Sequence, residues 1–279
     1  MSRGIWCYKG IRGCMLKFSI ITPNYNGARF LEQALDSVAQ QRGSGAEVEH
    51  IVMDAMSTDG SEQILSQHAG TVHVVREKDT GPANAINKGL GLATGDILAW
   101  LNADDVYAPD VFKRVAAVFA QHPEIAFCFG RCKIVDEEGK EIRKGITRFK
   151  EAFFPLSSQF TLQSINYISQ PAMFFRRSAF EQAGFLREDL KAAWDYEFLL
   201  RLWRQGGGVC VSGPPLANFR WHAGSISGQH FRLQFKEEYE AAVADAGRLS
   251  PQALLHLGVR WGIVGIYSLM KRRSMESGQ

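Results

Sequence analysis

The chain has 279 residues, 46% of them hydrophobic and 22% charged, with a formal net charge of +3. That composition supports one full-sized core and excludes a protein whose affinity rests on neutralising nucleic-acid phosphates, so no nucleic-acid partner is expected. Five cysteines (Cys7, Cys14, Cys128, Cys132 and Cys210) are odd in number and hold no C-x-x-C pair, which argues against a disulfide framework and a zinc site and for a reduced, cytoplasmic setting.

Residues 1–14 carry base and scattered apolar side chains but no continuous apolar run or small-residue cleavage site, so no signal peptide is expected. Met15 opens MLKFSIITPNYN and reads as a natural start, which makes 1–14 an expected disordered extension. Strand-length apolar runs follow at Phe18 to Ile21, Val48 to Met53, Val72 to Val75 and Ile97 to Leu101, each bounded by Gly, Asn, Asp or Pro. Between them Phe30, Leu31, Ala34, Leu35 and Val38 recur at helical spacing, Ser61 is placed to cap a short helix with Ile64 and Leu65, and Pro82 to Ala93 forms another amphipathic stretch. This alternation predicts an α/β fold with a mostly parallel central sheet flanked by helices.

Beyond Pro109 the pattern predicts a helix to about Gln121, a strand near Ile125 to Phe129, a hairpin through Asp136 to Gly139, a buried strand at Gln170 to Phe175 and a helix from Asp195 to Trp203. Residues 15–120 and 121–230 therefore read as two halves of one domain, and 231–279 as a C-terminal helical tail. Within the tail, Leu254 to Met270 is too short and too interrupted to cross a membrane, and Lys271, Arg272 and Arg273 follow it. Peripheral contact with an anionic membrane and packing against protein both fit that pattern.

Chemistry concentrates where strands end. Asn102-Ala103-Asp104-Asp105 places two adjacent carboxylates after a buried strand, where open α/β sheets bind ligands. Such carboxylates repel unless a hard divalent cation lies between them, although solvated turn or cap residues fit the same pair. Asp54 closes the second strand with acceptors alone, suited to the imide N–H of a pyrimidine base. Tyr25, in the loop Thr22-Pro23-Asn24-Tyr25-Asn26-Gly27, is an aromatic face for a base or a ring packed on the core edge. Three polar strand ends lining one crevice say more than any of them singly.

As an ordered set, SIITPNYN (Ser19 to Asn26), DAMSTDG (Asp54 to Gly60), DTGPANAINKGLGLATGD (Asp79 to Asp96) and NADD (Asn102 to Asp105) resemble the family 2 glycosyltransferases, from about Phe18 to about Ser227. The resemblance implies a GT-A type nucleotide-diphospho-sugar transferase fold, inverting chemistry and Mn2+ or Mg2+. It places the donor at Pro23, Tyr25, Asp54 and Asp104, with Asp105 as the main metal carboxylate beside Asp104, since Asn102 stands where many members carry a first aspartate. Ala193-Trp194-Asp195-Tyr196-Glu197 resembles the motif whose aspartate is the general base, which here is Asp195; an ordinary N-cap fits the same position, and Glu197 lies on another helix face. Phe219-Arg220-Trp221-His222-Ala223-Gly224-Ser225-Ile226-Ser227 resembles the closing segment, giving Arg220 to the diphosphate and His222 to the metal.

The implied partners are a nucleotide-sugar donor, UDP- or dTDP-linked before GDP-linked, and a saccharide or lipid-linked acceptor used in cell-surface polysaccharide or glycolipid synthesis. A dinucleotide oxidoreductase fails on spacing, because Gly89, Gly91 and Gly95 precede a strand instead of following one. A sugar nucleotidyltransferase should carry a glycine-rich basic loop after the first strand, which Pro23 to Gly27 is not, and a non-catalytic nucleotide-sugar binder remains an alternative.

Overall fold

A computed structural model of the chain describes residues 16–43, 45–222, 224–225, 228 and 230–262. The expectations for residues 1–14, for Cys7 and Cys14, and for the basic run from Lys271 lie outside these. The first half alternates as expected: β1 (Lys17–Asn24), α1 (Ala28–Ala39), β2 (Glu47–Asp54), α2 (Ser61–Gln67), β3 (His73–Arg76), α3 (Pro82–Leu92) and β4 (Ile97–Trp100). The second half adds β5 (Val106–Tyr107), α4 (Val111–Gln121), β6 (Phe127–Gly130), β7 (Cys132–Val135), β8 (Glu141–Ile142), α5 (Lys144–Glu151), α6 (Gln159–Ser164), β9 (Met173–Arg176), α7 (Arg177–Ala183), α8 (Trp194–Trp203), β10 (Gly208–Val211), β11 (Ala217–Arg220) and α9 (Phe231–Ala246). A last helix, α10, spans residues 251–262.

Seven strands form the main sheet in the order β10-β6-β9-β4-β1-β2-β3. Its neighbours are parallel except β9, which runs antiparallel to β4 and β6. A small second sheet, β5-β11-β7-β8, was not foreseen from the sequence.

The strands are apolar on both sides, and the two-residue period deals their side chains to two cores. Ile21, Leu98, Trp100, Phe127, Phe129 and Phe175 meet α3 and α8 on one face. Phe18, Ile20, Ile97, Ala99, Cys128 and Phe174 meet α1 and α4 on the other, where the Phe18 and Phe112 rings stack at 4.6 Å. Gly89 lets α3 approach the sheet: a Cβ there would lie 2.5 Å from Cγ2 of Ile21.

Three local expectations are corrected. The expected strand at Gln170 to Phe175 starts at Met173, because Gln170–Ala172 forms a 3-10 turn around Pro171, which has no N–H for a ladder. Ser61 does not cap α2; the N-cap is Gly60 at φ 101°, and the Ser61 N–H and hydroxyl both donate to Asp59 Oδ1. Asp195 is not an N-cap either, since α8 is capped at Ala193 and Asp195 lies inside its first turn.

Candidate active site

The carboxyl ends of β1, β2 and β4 lie at one edge of the main sheet, with Asn24 paired to Asp54 and Asp54 to Arg76. Antiparallel β9 brings its own beginning to that edge, so Gln170 arrives beside the end of β4.

At the β1 and β2 ends the loops are locked together. Asn24 Nδ2 donates to Asp54 Oδ1 at 2.7 Å, while the Ser57 N–H and Arg76 Nε both reach Oδ2 at 3.1 Å. Asn26 (φ 52°) and Met56 (φ 62°) hold left-handed backbone that non-glycine residues rarely adopt. The Asn26 N–H donates to Ser57 Oγ at 2.9 Å, the Thr58 N–H to Asn26 Oδ1 at 2.9 Å, and the Ala28 N–H to Asp59 Oδ2 at 2.8 Å. Above this floor Tyr25 stands 71% exposed. Pro23 is half-buried in the last turn of strand before it. Asp54 differs from its expected role as an open acceptor for a base: its carboxylate is fully buried and occupied by three donors of the protein itself.

The acidic loop after β4 is divided in depth. Asp105 is fully buried, accepting the Arg220 N–H at 2.8 Å and Asn102 Nδ2 at 3.2 Å. Burial, then the neighbouring Asp104 carboxylate, pushes its proton affinity well above the ordinary range. Asp104 is half-buried, with Oδ2 3.0 Å from His222 Nε2. The Gly224 N–H points at His222 Nδ1 at 3.2 Å, which leaves Nε2 as the donor to Asp104. The hydrogen bond to Asp104 raises the His222 pKa. Of the two, Asp104 is the accessible carboxylate, whereas Asp105, expected as the main metal carboxylate, is buried and engaged by Arg220 and Asn102.

Arg220 is also corrected. Its buried guanidinium donates from Nε to the Asp104 carbonyl at 2.9 Å, from Nη1 to the Asp136 and Glu137 carbonyls at 3.2 and 2.6 Å, and from Nη2 to Gln33 Oε1 at 2.7 Å. It lies over the Phe30 ring at 4.4 Å. A guanidinium used this fully is a latch joining α1, the acidic loop and the β7-β8 hairpin, not a free phosphate clamp.

Asp195 opens on a small cavity lined by Asn166, Ile168, Gln170 and Met173. Among the described residues its carboxylate has one hydrogen-bond donor, the Tyr196 N–H at 2.8 Å, and burial raises its pKa. Glu197 is taken up by Arg201 Nη2 at 2.8 Å, as its place on another face implied. The cavity and the acidic loop are joined: Asn102 Nδ2 lies 3.2 Å from Asp105 Oδ2 and 3.5 Å from Gln170 Oε1, and Gln170 Nε2 donates to the Trp100 carbonyl at 2.7 Å.

Reading the sequence missed Gln170 and Asn166, which line this cavity, and Glu238, which accepts Asn166 Nδ2 at 3.0 Å. The one available signal was the Gln-Pro pair ahead of an apolar run, a polar group forced to a strand end. For a cation, Asp104 offers one hard oxygen on an accessible face, and His222 Nε2 would join it on giving up the proton it donates to Asp104, which fits a divalent ion that takes its remaining ligands from elsewhere. Among the described residues no group of three or more His, Cys, Asp or Glu gathers to hold an ion alone.

This architecture is the GT-A type. It matches Staphylococcus aureus TarS crystallised with UDP-GlcNAc at a TM-score of 0.65, with 19% identity over 86% of this chain and 69% of that one. It matches the mannosyltransferase PcManGT of Pyrobaculum calidifontis, crystallised with GDP-Man and Mn2+, at 0.62, with 17% identity over 92% and 81%. The profile of glycosyl transferase family 2 covers residues 19–184, more than half of the sequence, and the chain belongs to that family. Among named relatives, uncharacterized glycosyltransferases of Nostoc sp. and Haemophilus influenzae are 32% and 30% identical over 48% and 66% of this chain. The chain spans only 42% and 61% of their lengths. A PGL/p-HBAD biosynthesis glycosyltransferase of Mycobacterium bovis is 29% identical over 74% of this chain and 73% of its own.

Proposed function

We propose that this protein transfers a sugar from a nucleoside-diphosphate sugar to a saccharide or lipid-linked acceptor with inversion, in the synthesis of a cell-surface polysaccharide or glycolipid on the cytoplasmic side of a membrane. The observation that carries this reading is the meeting, at one sheet edge, of an accessible Asp104–His222 pair and the under-coordinated Asp195, joined through Asn102 and Gln170. A relative named for PGL/p-HBAD biosynthesis and structural neighbours crystallised with UDP-GlcNAc and with GDP-Man support it.

In this reading Tyr25 stacks on the base, and Asp54, Asn24 and Arg76 hold the strand ends beneath it. Mn2+ or Mg2+ bound at Asp104 and His222 would supply positive charge against the departing diphosphate, the largest electrostatic need of the reaction. Asp195 takes the acceptor hydroxyl proton as that oxygen attacks the anomeric carbon, and a single displacement inverts it. Burial raises the Asp195 pKa, which strengthens it as a base.

Thermal-shift binding of UDP, dTDP and GDP with and without Mn2+ tests the donor site. One nucleotide should stabilise the protein in a metal-dependent way, and Asp104→Ala should lose that effect. Equal shifts with and without metal, or in the variant, would overturn the metal assignment. No shift with any nucleotide would favour a degenerate family member.

The membrane contact rests on α10, which packs inward through Ala253 and His256 while Leu254, Leu255 and Trp261 face out. No helix among the described residues is long and apolar enough to cross a membrane. Flotation of the full chain with anionic liposomes, but not of a chain ending at residue 250, is the expected result. Equal flotation of both would move the contact elsewhere.

A further inference from the structure

The mechanism leaves two adjacent carboxylates unused, Glu237 and Glu238 on α9, a helix beyond the segment matched by the family profile. Both are buried. Glu237 accepts three successive backbone N–H groups at the entry to α8: Lys191 at 3.0 and 3.2 Å to its two oxygens, Ala192 at 2.8 Å and Ala193 at 3.0 Å. The first N–H groups of a helix have no partner within it, and Ala193 at the N-cap has no side-chain acceptor, so α9 supplies the cap from outside. Two residues further along α8 is Asp195. At the other end of α8, Arg204 Nη2 pairs with Asp245 Oδ1 at 2.6 Å, so α9 fastens the base-bearing helix at both ends.

Glu238 accepts Asn166 Nδ2 and Gln234 Nε2, each at 3.0 Å. Asn166 lines the same cavity as Asp195. The titratable and charged groups facing Glu238 are Asp195 and Tyr196 from α8 and Lys150 from α5.

Resting on the assignment of Asp195 as the base, we infer that Glu237 and Glu238 are its positioning pair: Glu237 anchors the backbone that aims Asp195 at the cavity, and Glu238 is the neighbouring carboxyl that keeps a proton while Asp195 is ionised. Glu238 reaches the cavity through Asn166, and of two interacting carboxyls the one deeper from solvent holds its proton more tightly. Burial, then the Asp195 charge, pushes Glu238 up to about 7 against the pull of its Asn166 and Gln234 donors. When the acceptor proton arrives on Asp195, Glu238 retains its own, and no further proton needs to move for the displacement to finish.

Carboxyl NMR on the 13C-labelled full chain, with no ligand, reads this directly. One Glu should titrate near pH 7, vanish in Glu238→Gln and move down in Asp195→Asn, where the neighbouring charge is gone. Glu237→Ala should displace the Asp195 titration, and Glu237→Gln, which keeps an acceptor oxygen, should restore most of it. An unmoved Glu238 titration in Asp195→Asn, or an unmoved Asp195 titration in Glu237→Ala, overturns the pair. Turnover of UDP-GlcNAc, UDP-glucose or GDP-mannose by transfer to water with Mn2+ separates the two readings. Full turnover by Asp195→Asn overturns the base itself, whereas lost turnover with an unmoved Glu238 titration overturns only the positioning pair.

Discussion

The loops at the ends of β1, β2 and β4 and the cavity at Asp195 are built from similar residues and treated oppositely. Around β1, β2 and the acidic loop the charged groups are saturated: Asp54 has three donors, Asp105 has two, and the Arg220 guanidinium contacts four acceptors. At the cavity, Asp195 has one backbone donor among the described residues, at 2.8 Å, and the Glu238 carboxyl nearby. A fully satisfied buried group rigidifies its surroundings, whereas an under-satisfied one keeps free energy available for a proton or a ligand. The comparison separates scaffold from chemistry within a single set of motif residues. At the sheet edge Tyr25, Asp104 and His222 keep an accessible face.

The sharpest way to break that division is Asp195→Asn, which should cut transfer roughly a thousandfold while metal-dependent nucleotide binding stays within about twofold of wild type. Steady-state rates beside thermal shifts would show it, and equal losses in both would put Asp195 in the scaffold. Arg220→Met should cost about 3 kcal/mol of stability, because it strands buried carbonyls that the guanidinium satisfies. Urea denaturation checks this. A stable variant that had lost only nucleotide affinity would return Arg220 to the phosphate.

A pH series sharpens the cavity side. The folded-state pKa of Glu238, about 7, lies above its ordinary 4.5, so its stabilising contribution is complete below 4.5 and lost as pH rises through 7. The loss amounts to about 3 kcal/mol at most. Glu238→Gln should flatten that part of the stability curve in urea melts taken from pH 4 to pH 8, and an unchanged slope would mean that Glu238 ionises freely. The smallest effect is expected at Tyr25, where replacement by Ala removes an exposed ring. Nucleotide affinity should fall by about 1 kcal/mol with no change in melting temperature, and a lower melting temperature would show the ring to be structural.

Much of this was legible in the residues because it depends on local pattern. The alternating strands and helices to β4, the hairpin at Asp136 to Gly139 and the helix over Phe198 to Leu202 follow from periodicity and turn chemistry. The ordered motifs were enough to indicate the family, and Tyr25, Asp104, His222 and Asp195 all reach the one sheet edge. Depth was not legible. Asp104 and Asp105 are neighbours of identical chemistry, yet one half faces solvent and the other none, because the Arg220 N–H on distant β11 draws Asp105 inward.

By itself, then, the sequence determined the alternating elements of the first half and which family the chain joins, since periodicity and turn chemistry are carried by near neighbours. Only the tertiary structure decided which of the motif side chains are consumed in holding the site together. That outcome is set by partners far away in the chain: Arg220 reaches back to Gln33, Gln170 to Trp100, and Glu237 to the N–H groups that open α8. A hydrogen bond has a limited number of donors and acceptors to join, and their assignment becomes definite only when the folded chain brings them within 3 Å or so of one another.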